Sequence, residues 1–187
     1  MKNVFIDMGT HKLEGLTQLI DTLKMDSSWI IHSFEPNPDI DNTDNLNNLN
    51  RPDLQITLHK KACWVNDGNV ELLQFGSDGM DEGATVNETE CNKVFLGNPA
   101  FFGKNQVACI DIYSFIKGFD DSYNIYMKMD VEYSEYKILE TMIERQWPDN
   151  IKEIWIEWHY SSPWCFAKKE ELTKKLEKLG VKLHEWH

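Results

Sequence analysis

Val4-Phe5-Ile6-Asp7-Met8-Gly9-Thr10-His11 decides how this chain is read. A short apolar run ends on an acid, then a glycine, then small or polar residues. The next segment, Leu13 to Leu23, carries Leu16, Leu19, Ile20 and Leu23 at helical spacing. A buried strand that breaks into a glycine-bearing turn and feeds a helix is how α/β folds build a ligand crevice at the carboxyl ends of their strands. Gly9 lets the backbone approach a ligand closely, and Asp7 leaves a carboxylate at the strand tip. The same residues also describe an ordinary strand, turn and helix, because short glycine motifs are weak signals. The rest of the chain must supply the other edges of the crevice.

Going outward from that stretch, 187 residues predict one domain spanning 1–187 with a sizeable core. Apolar residues at 41% and charged residues at 27% give a globular balance rather than a disordered one. A formal net charge of -12 argues against a phosphate backbone as partner, which needs basic patches. The four cysteines, Cys63, Cys91, Cys109 and Cys165, form no CxxC pair, so buried free thiols are expected rather than zinc or a disulfide framework. No run approaches the roughly 20 apolar residues that span a bilayer, and no basic and apolar signal region precedes the first strand. These features predict a soluble, cytoplasmic protein of a reducing compartment.

A second apolar run, Trp29 to Phe34, ends at Glu35-Pro36-Asn37-Pro38, where the prolines stop the strand and stiffen its exit. An acid at the tip of the second strand is placed to accept hydrogen bonds from both hydroxyls of a ribose. A short helix is predicted around Asn45 to Leu49. Leu54 to Cys63 alternates as a third strand, ending at an Ala62-Cys63-Trp64 surface suited to an adenine ring; Trp64 reads equally well as core. Val70 to Phe75 follows an Asp-Gly-Asn turn as a further strand. An irregular insertion at about 76–105, glycine-rich and carrying Phe101 and Phe102, reads as a loop bordering the substrate mouth or as a surface excursion. Gln106 to Ile110 is strand-like, and Asp111 caps a helix start.

Ile125 to Met129 forms the next crevice strand and runs into Asp130-Val131-Glu132-Tyr133-Ser134-Glu135. A helix follows with Tyr136, Leu139, Met142 and Ile143 on one face, ending before Pro148. Ile151 to Trp158 is a strand closing on Glu157-Trp158-His159. A helix over Lys168 to Lys178 ends at Gly180, and Val181 to Trp186 gives a last strand. Strands alternating with helices predict a mostly parallel α/β sheet flanked by helices.

Four segments in order, Phe5 to His11, Phe34 to Pro38, Lys128 to Glu135 and Ile156 to His159, resemble the FkbM-type methyltransferases. The resemblance spans nearly the whole chain. It implies a single-domain, Rossmann-like class I methyltransferase fold that uses S-adenosylmethionine and methylates a hydroxyl of a sugar, glycan or small natural product. It places Asp7, Gly9, Thr10 and His11 around the methionine part of the cofactor, Glu35 on the ribose, and Pro36 and Asn37 beside it. Asp130, Glu132 and Glu135 fall on the family's acidic motif at the sulfonium side, and Glu157 and His159 close the next strand. Two positions where the family carries glycine hold Leu13 and Tyr133 here.

Methyl transfer to a hydroxyl needs near-attack positioning and a proton acceptor. Asp130 and Glu132 alternate along an extended strand end, so both face the crevice. His159, with an ordinary pKa near ~6.5, reads as the better proton acceptor at neutral pH. With the resemblance, this chemistry gives Asp130, Glu132, Glu157 and His159 as the expected catalytic set; the cofactor set that the resemblance implies is Asp7, Gly9, Thr10, His11, Glu35, Pro36 and Asn37, to which the adenine-facing surface adds Ala62. The four catalytic residues also suit a divalent metal such as Mg, to which the sequence does not commit, and Glu157 and His159 suit a buried hydrogen-bonded pair. Trp164 and Phe166 suit either a sugar face or the core, and Ser161 to Trp164 form a plausible rim. Two rival readings are a non-catalytic binding module of the same fold and a nicotinamide-dependent oxidoreductase, the latter without a GxGxxG after its first strand.

Overall fold

A computed structural model describes residues 2–75, 84–86, 101–160 and 162–187. Its elements in chain order are β1 (Lys2–Met8), α1 (Glu14–Thr22), β2 (Trp29–Phe34), α2 (Thr43–Asn48), β3 (Gln55–His59), β4 (Ala62–Trp64), β5 (Gly68–Phe75), β6 (Thr85–Val86) and β7 (Phe101–Asp111). The second half adds α3 (Ile112–Lys117), β8 (Tyr123–Met129), α4 (Glu135–Glu144), β9 (Ile151–Ile156), α5 (Pro163–Lys178) and β10 (Lys182–Glu185).

Six strands form one wholly parallel sheet in the order β10-β9-β8-β1-β2-β3. The chain builds outward from β1 to β3, then returns to the other side of β1 and builds outward again through β8, β9 and β10. The switch point between β1 and β8 opens a crevice at the carboxyl ends of the two central strands. β1 reads as a continuous apolar run because both its faces are covered. Phe5 packs with Leu16, Leu19 and Ile20 of α1 on one face. Val4, Ile6 and Met8 pack on the other with Tyr136, Leu139 and Met142 of α4 and Leu172 and Leu176 of α5.

Leu54 to Cys63 is not one strand. The chain breaks after His59, so that β3 edges the parallel sheet while β4 joins a second, four-stranded sheet of order β4-β7-β5-β6. In that sheet β4 runs parallel to β7, and β5 pairs antiparallel with β7 and β6. Part of the expected irregular insertion is thus regular: β6 lies within it, and β7 extends from Phe101 to Asp111. The remainder, at 76–83 and 87–100, lies outside the described residues, as do Cys91, Ser161 and the Phe101 and Phe102 side chains. Trp64, Leu72, Val107 and Cys109 of the second sheet share a core with Val4, Ile6 and Met8, and the doubtful Trp64 is a core residue, 2% exposed.

One helix start also differs. α5 begins at Pro163, earlier than its charge pattern suggested, because Ser162 caps it by accepting from the Cys165 N–H and Pro163 fits the first turn. α3 is capped as expected, with Asp111 accepting from the Ser114 N–H. Cys63 and Cys109 are buried free thiols, but Cys165 is disulfide-bonded. That corrects the expectation of free thiols throughout. Among the described residues no helix is long and apolar enough to cross a membrane.

Candidate functional site

The turn after β1 is shaped by a collision avoided. Gly9 has φ +76, and a Cβ on it would lie 1.7 Å from the carbonyl oxygen of Asp130. Only a residue without a side chain lets the two central strand tips come so close. The Gly9 and Thr10 N–H groups both donate to the Phe34 carbonyl, at 3.1 and 3.0 Å, which fastens the turn to β2. The chain then curls through left-handed His11 and Leu13 into α1.

Glu35, at the tip of β2, is 8% exposed. Its Oε2 accepts the His11 N–H and its Oε1 the Asn37 N–H, each at 2.8 Å. Burial pushes its carboxyl above the usual range, although these two bonds oppose the shift. The Asn37 side chain is held in turn, donated to by Gln74 at 3.1 Å. Each Glu35 oxygen keeps a further lone pair for a ligand hydroxyl.

A cavity of about 380 Å³ lies over these strand tips, within the roughly 300–1,000 Å³ of small-molecule sites. Of the expected residues, Gly9, Thr10, His11, Glu35, Pro36, Asn37, Ala62, Asp130, Glu132 and Glu157 line it. Two do not. Asp7 is wholly buried behind the wall, where Oδ1 stands 3.6 Å from the Lys128 ammonium and Oδ2 accepts from Ser33 Oγ at 3.2 Å. His159 sits behind the acids rather than on the wall. The cavity also takes in residues the sequence did not single out. Lys128 and Trp186 line it, as do the apolar side chains of Ile40, Leu72 and Val86; Val86 lies against the acidic turn, its carbonyl accepting from Ser134 Oγ at 3.3 Å. Lys128 had a readable sign, a charge two residues from Asp130 on the same strand face. The C-terminal placement of Trp186 had none.

Two residues of the pocket wall carry buried polar atoms that find no partner among the described residues: Thr10 Oγ1 and His11 Nε2. Buried polar groups are nearly always satisfied, so such orphans call for a ligand or water. Together with the Gly9 cradle, the Glu35 acceptor and the Ala62 wall, they fit a nucleoside joined to a zwitterionic tail, as S-adenosylmethionine is.

The acids at the other end gather around His159. Its Nε2 lies 3.3 Å from Glu132, 3.8 Å from Glu157 and 3.9 Å from Asp130. Nδ1 lies 3.5 Å from Glu135, an ion-pair contact, while Glu135 Oε1 takes the His159 backbone N–H at 2.8 Å. Burial would lower the imidazole, but Glu132 and Glu135 outweigh it and push it up to about 11. That direction favours the imidazolium form of His159. Burial, then Asp130, raises the Glu157 carboxyl, and burial raises that of Glu135. Ligand atoms of Asp130, Glu132 and His159 all lie within 4.8 Å of one another, a donor set able to hold a divalent ion.

Glu132 and Tyr133 adopt left-handed φ of 49 and 72. The Tyr133 ring packs 5.5 Å from the imidazole of His159. Beyond the strand tip Trp164 and Phe166 are 41% and 56% exposed, so the core alternative for them falls.

A family model described as the methyltransferase FkbM domain matches residues 7–183. No curated protein and no solved structure matches the chain.

Proposed function

This chain belongs to the FkbM methyltransferase family, and from that premise we propose an S-adenosylmethionine-dependent enzyme, folded as one unit over 1–187, that methylates a hydroxyl of a sugar, glycan or small natural product. The cofactor assignment rests chiefly on the orphaned Thr10 Oγ1 and His11 Nε2 in the same cavity as Glu35. S-adenosylmethionine, when bound, supplies a methyl group made electrophilic by its sulfonium. Glu35 accepts the ribose hydroxyls, flanked by Pro36 and Asn37, while Thr10 and His11 gain the partners they lack. Ala62, with Leu72 of the same sheet, gives the apolar slot for the base.

At the other end Asp130, Glu132 and Glu157 set a negative potential suited to a positively charged donor. Glu157 accepts the proton of the acceptor hydroxyl, since burial and then Asp130 raise its carboxyl and make it a stronger base than an ordinary carboxylate. His159 holds Glu132 and Asp130 in place as their counter-charge. Calorimetric titration with S-adenosylmethionine should give saturable binding, and silence at millimolar cofactor would end this reading. Glu157→Gln should abolish turnover on a hydroxyl acceptor panel while binding persists. Cofactor binding with no turnover on any acceptor would instead favour a non-catalytic module.

A second reading rests on the 4.8 Å grouping of Asp130, Glu132 and His159, which would hold a divalent cation. Loss of activity in chelator, restored by Mg or Mn, would select it; activity indifferent to chelator would dismiss it.

A further inference from the structure

Lys128 takes no part in the chemistry proposed above, yet among the described residues it is the one buried lysine or arginine, 2% exposed beside the switch point. Burying an ammonium costs several kcal/mol unless it is paired. Here Nζ donates to the Gly9 carbonyl at 3.0 Å and to Asp130 Oδ2 at 3.1 Å, and stands 3.6 Å from Asp7 Oδ1. Among the described residues Asp7 Oδ1 has no hydrogen-bond partner, and this ammonium is its counter-charge. The lysine stem passes beneath the first turn of α1, and Gly15 clears its way. A Cβ on Gly15 would lie 2.6 Å from Lys128 Cε.

Two of the three partners border the cavity and belong to different strands. Gly9 carries the turn after β1, and Asp130 is the acid after β8. The other Asp130 oxygen faces His159 Nε2 at 3.9 Å, so this carboxylate stands between two cations. Resting on the methyltransferase reading, we infer that Lys128 is a positioning residue of the cofactor pocket: its ammonium ties the Gly9 turn to Asp130 across the switch point and fixes the spacing between them. The rival account makes Lys128 a structural partner of Asp7 and nothing more.

The two accounts separate in variants of the full chain, read by melting temperature and by calorimetric affinity for S-adenosylhomocysteine. Lys128→Met strands a buried carboxylate and should lose both stability and affinity. Adding Asp7→Asn removes that stranded charge, so stability should return to within a few degrees of the unaltered chain. Affinity should stay tenfold or more below it. Affinity restored to within twofold in the double variant would overturn the positioning role while leaving the cofactor reading intact. No binding by the unaltered chain would overturn both. Should the double variant not fold, the ¹⁵N resonance of the Lys128 ammonium decides the matter in the unaltered chain. It should shift on saturation with S-adenosylhomocysteine, and an unmoved resonance would overturn the inference.

Discussion

Glu35 holds two backbone N–H groups, those of His11 and Asn37, with its two oxygens. Glu35→Gln turns one oxygen into a donor facing a donor and removes the charge from the other. A hydrogen bond to a charged group contributes about 1.5–3 kcal/mol, so affinity for S-adenosylmethionine should fall by about tenfold or more in calorimetry, with the circular dichroism spectrum unchanged. Glu35 was legible in the sequence because a strand tip followed by Pro-Asn-Pro fixes where its side chain starts. Asp7 was read at the right tip and the wrong depth, since periodicity gives a face but not what stands in front of it. Lys128 escaped notice because a lysine in an apolar strand usually keeps its charge in water, and its burial depends on Asp7, which is 121 residues away. His159 was found by position, but its upward pKa shift comes from Glu132 and Glu135, whose approach to the ring the sequence does not show.

At the scale of elements, the two turns that flank the crevice keep a glycine-like backbone without glycine. Leu13 has φ 71 and Tyr133 φ 72, the left-handed region that a side chain occupies at a cost. Both side chains are buried, 2% and 7% exposed, and packing holds the backbone there. Tyr133→Gly tests the balance. It relieves about 1–2 kcal/mol of backbone strain, but truncating a buried aromatic residue costs about 3–5 kcal/mol. The loss should win, lowering the melting temperature by roughly 5–10 °C at about 2–4 °C per kcal/mol for a chain of this size. A higher melting temperature would show that strain governs this turn. Strand and helix existence followed from apolar spacing, whereas the split of Leu54 to Cys63 into two strands did not. An alternating pattern says that a strand has two faces, not that it changes sheets halfway.

Across the whole molecule, stability below neutral pH is tied to a histidine pair on the parallel sheet. His32 Nδ1 and His59 Nε2 lie 3.0 Å apart amid Phe34, Phe115 and Phe119. Burial, then His59, pushes His32 down to about 4, and burial, then Lys61, lowers His59. The folded values lie below the unfolded one, so unfolded chain binds more protons across that window. The pair's contribution is therefore full above about pH 6.5 and is lost as pH falls towards 4. Melting temperature should drop more steeply between pH 7 and 5 in the unaltered chain than in His32→Gln. Parallel slopes would mean that the pair does not carry the dependence.

Part of the cavity wall is cut from a different sheet from the one whose strand tips carry the acids. Leu72 and Val86 belong to β5 and β6, while Gly9, Glu35 and Asp130 sit at the tips of the parallel strands. Exchanging those two side chains recontours the chamber without disturbing any hydrogen bond of the parallel sheet. Lineages descended from such a chain are free to retool one half of the vessel for new guests while the machinery in the other half is inherited intact.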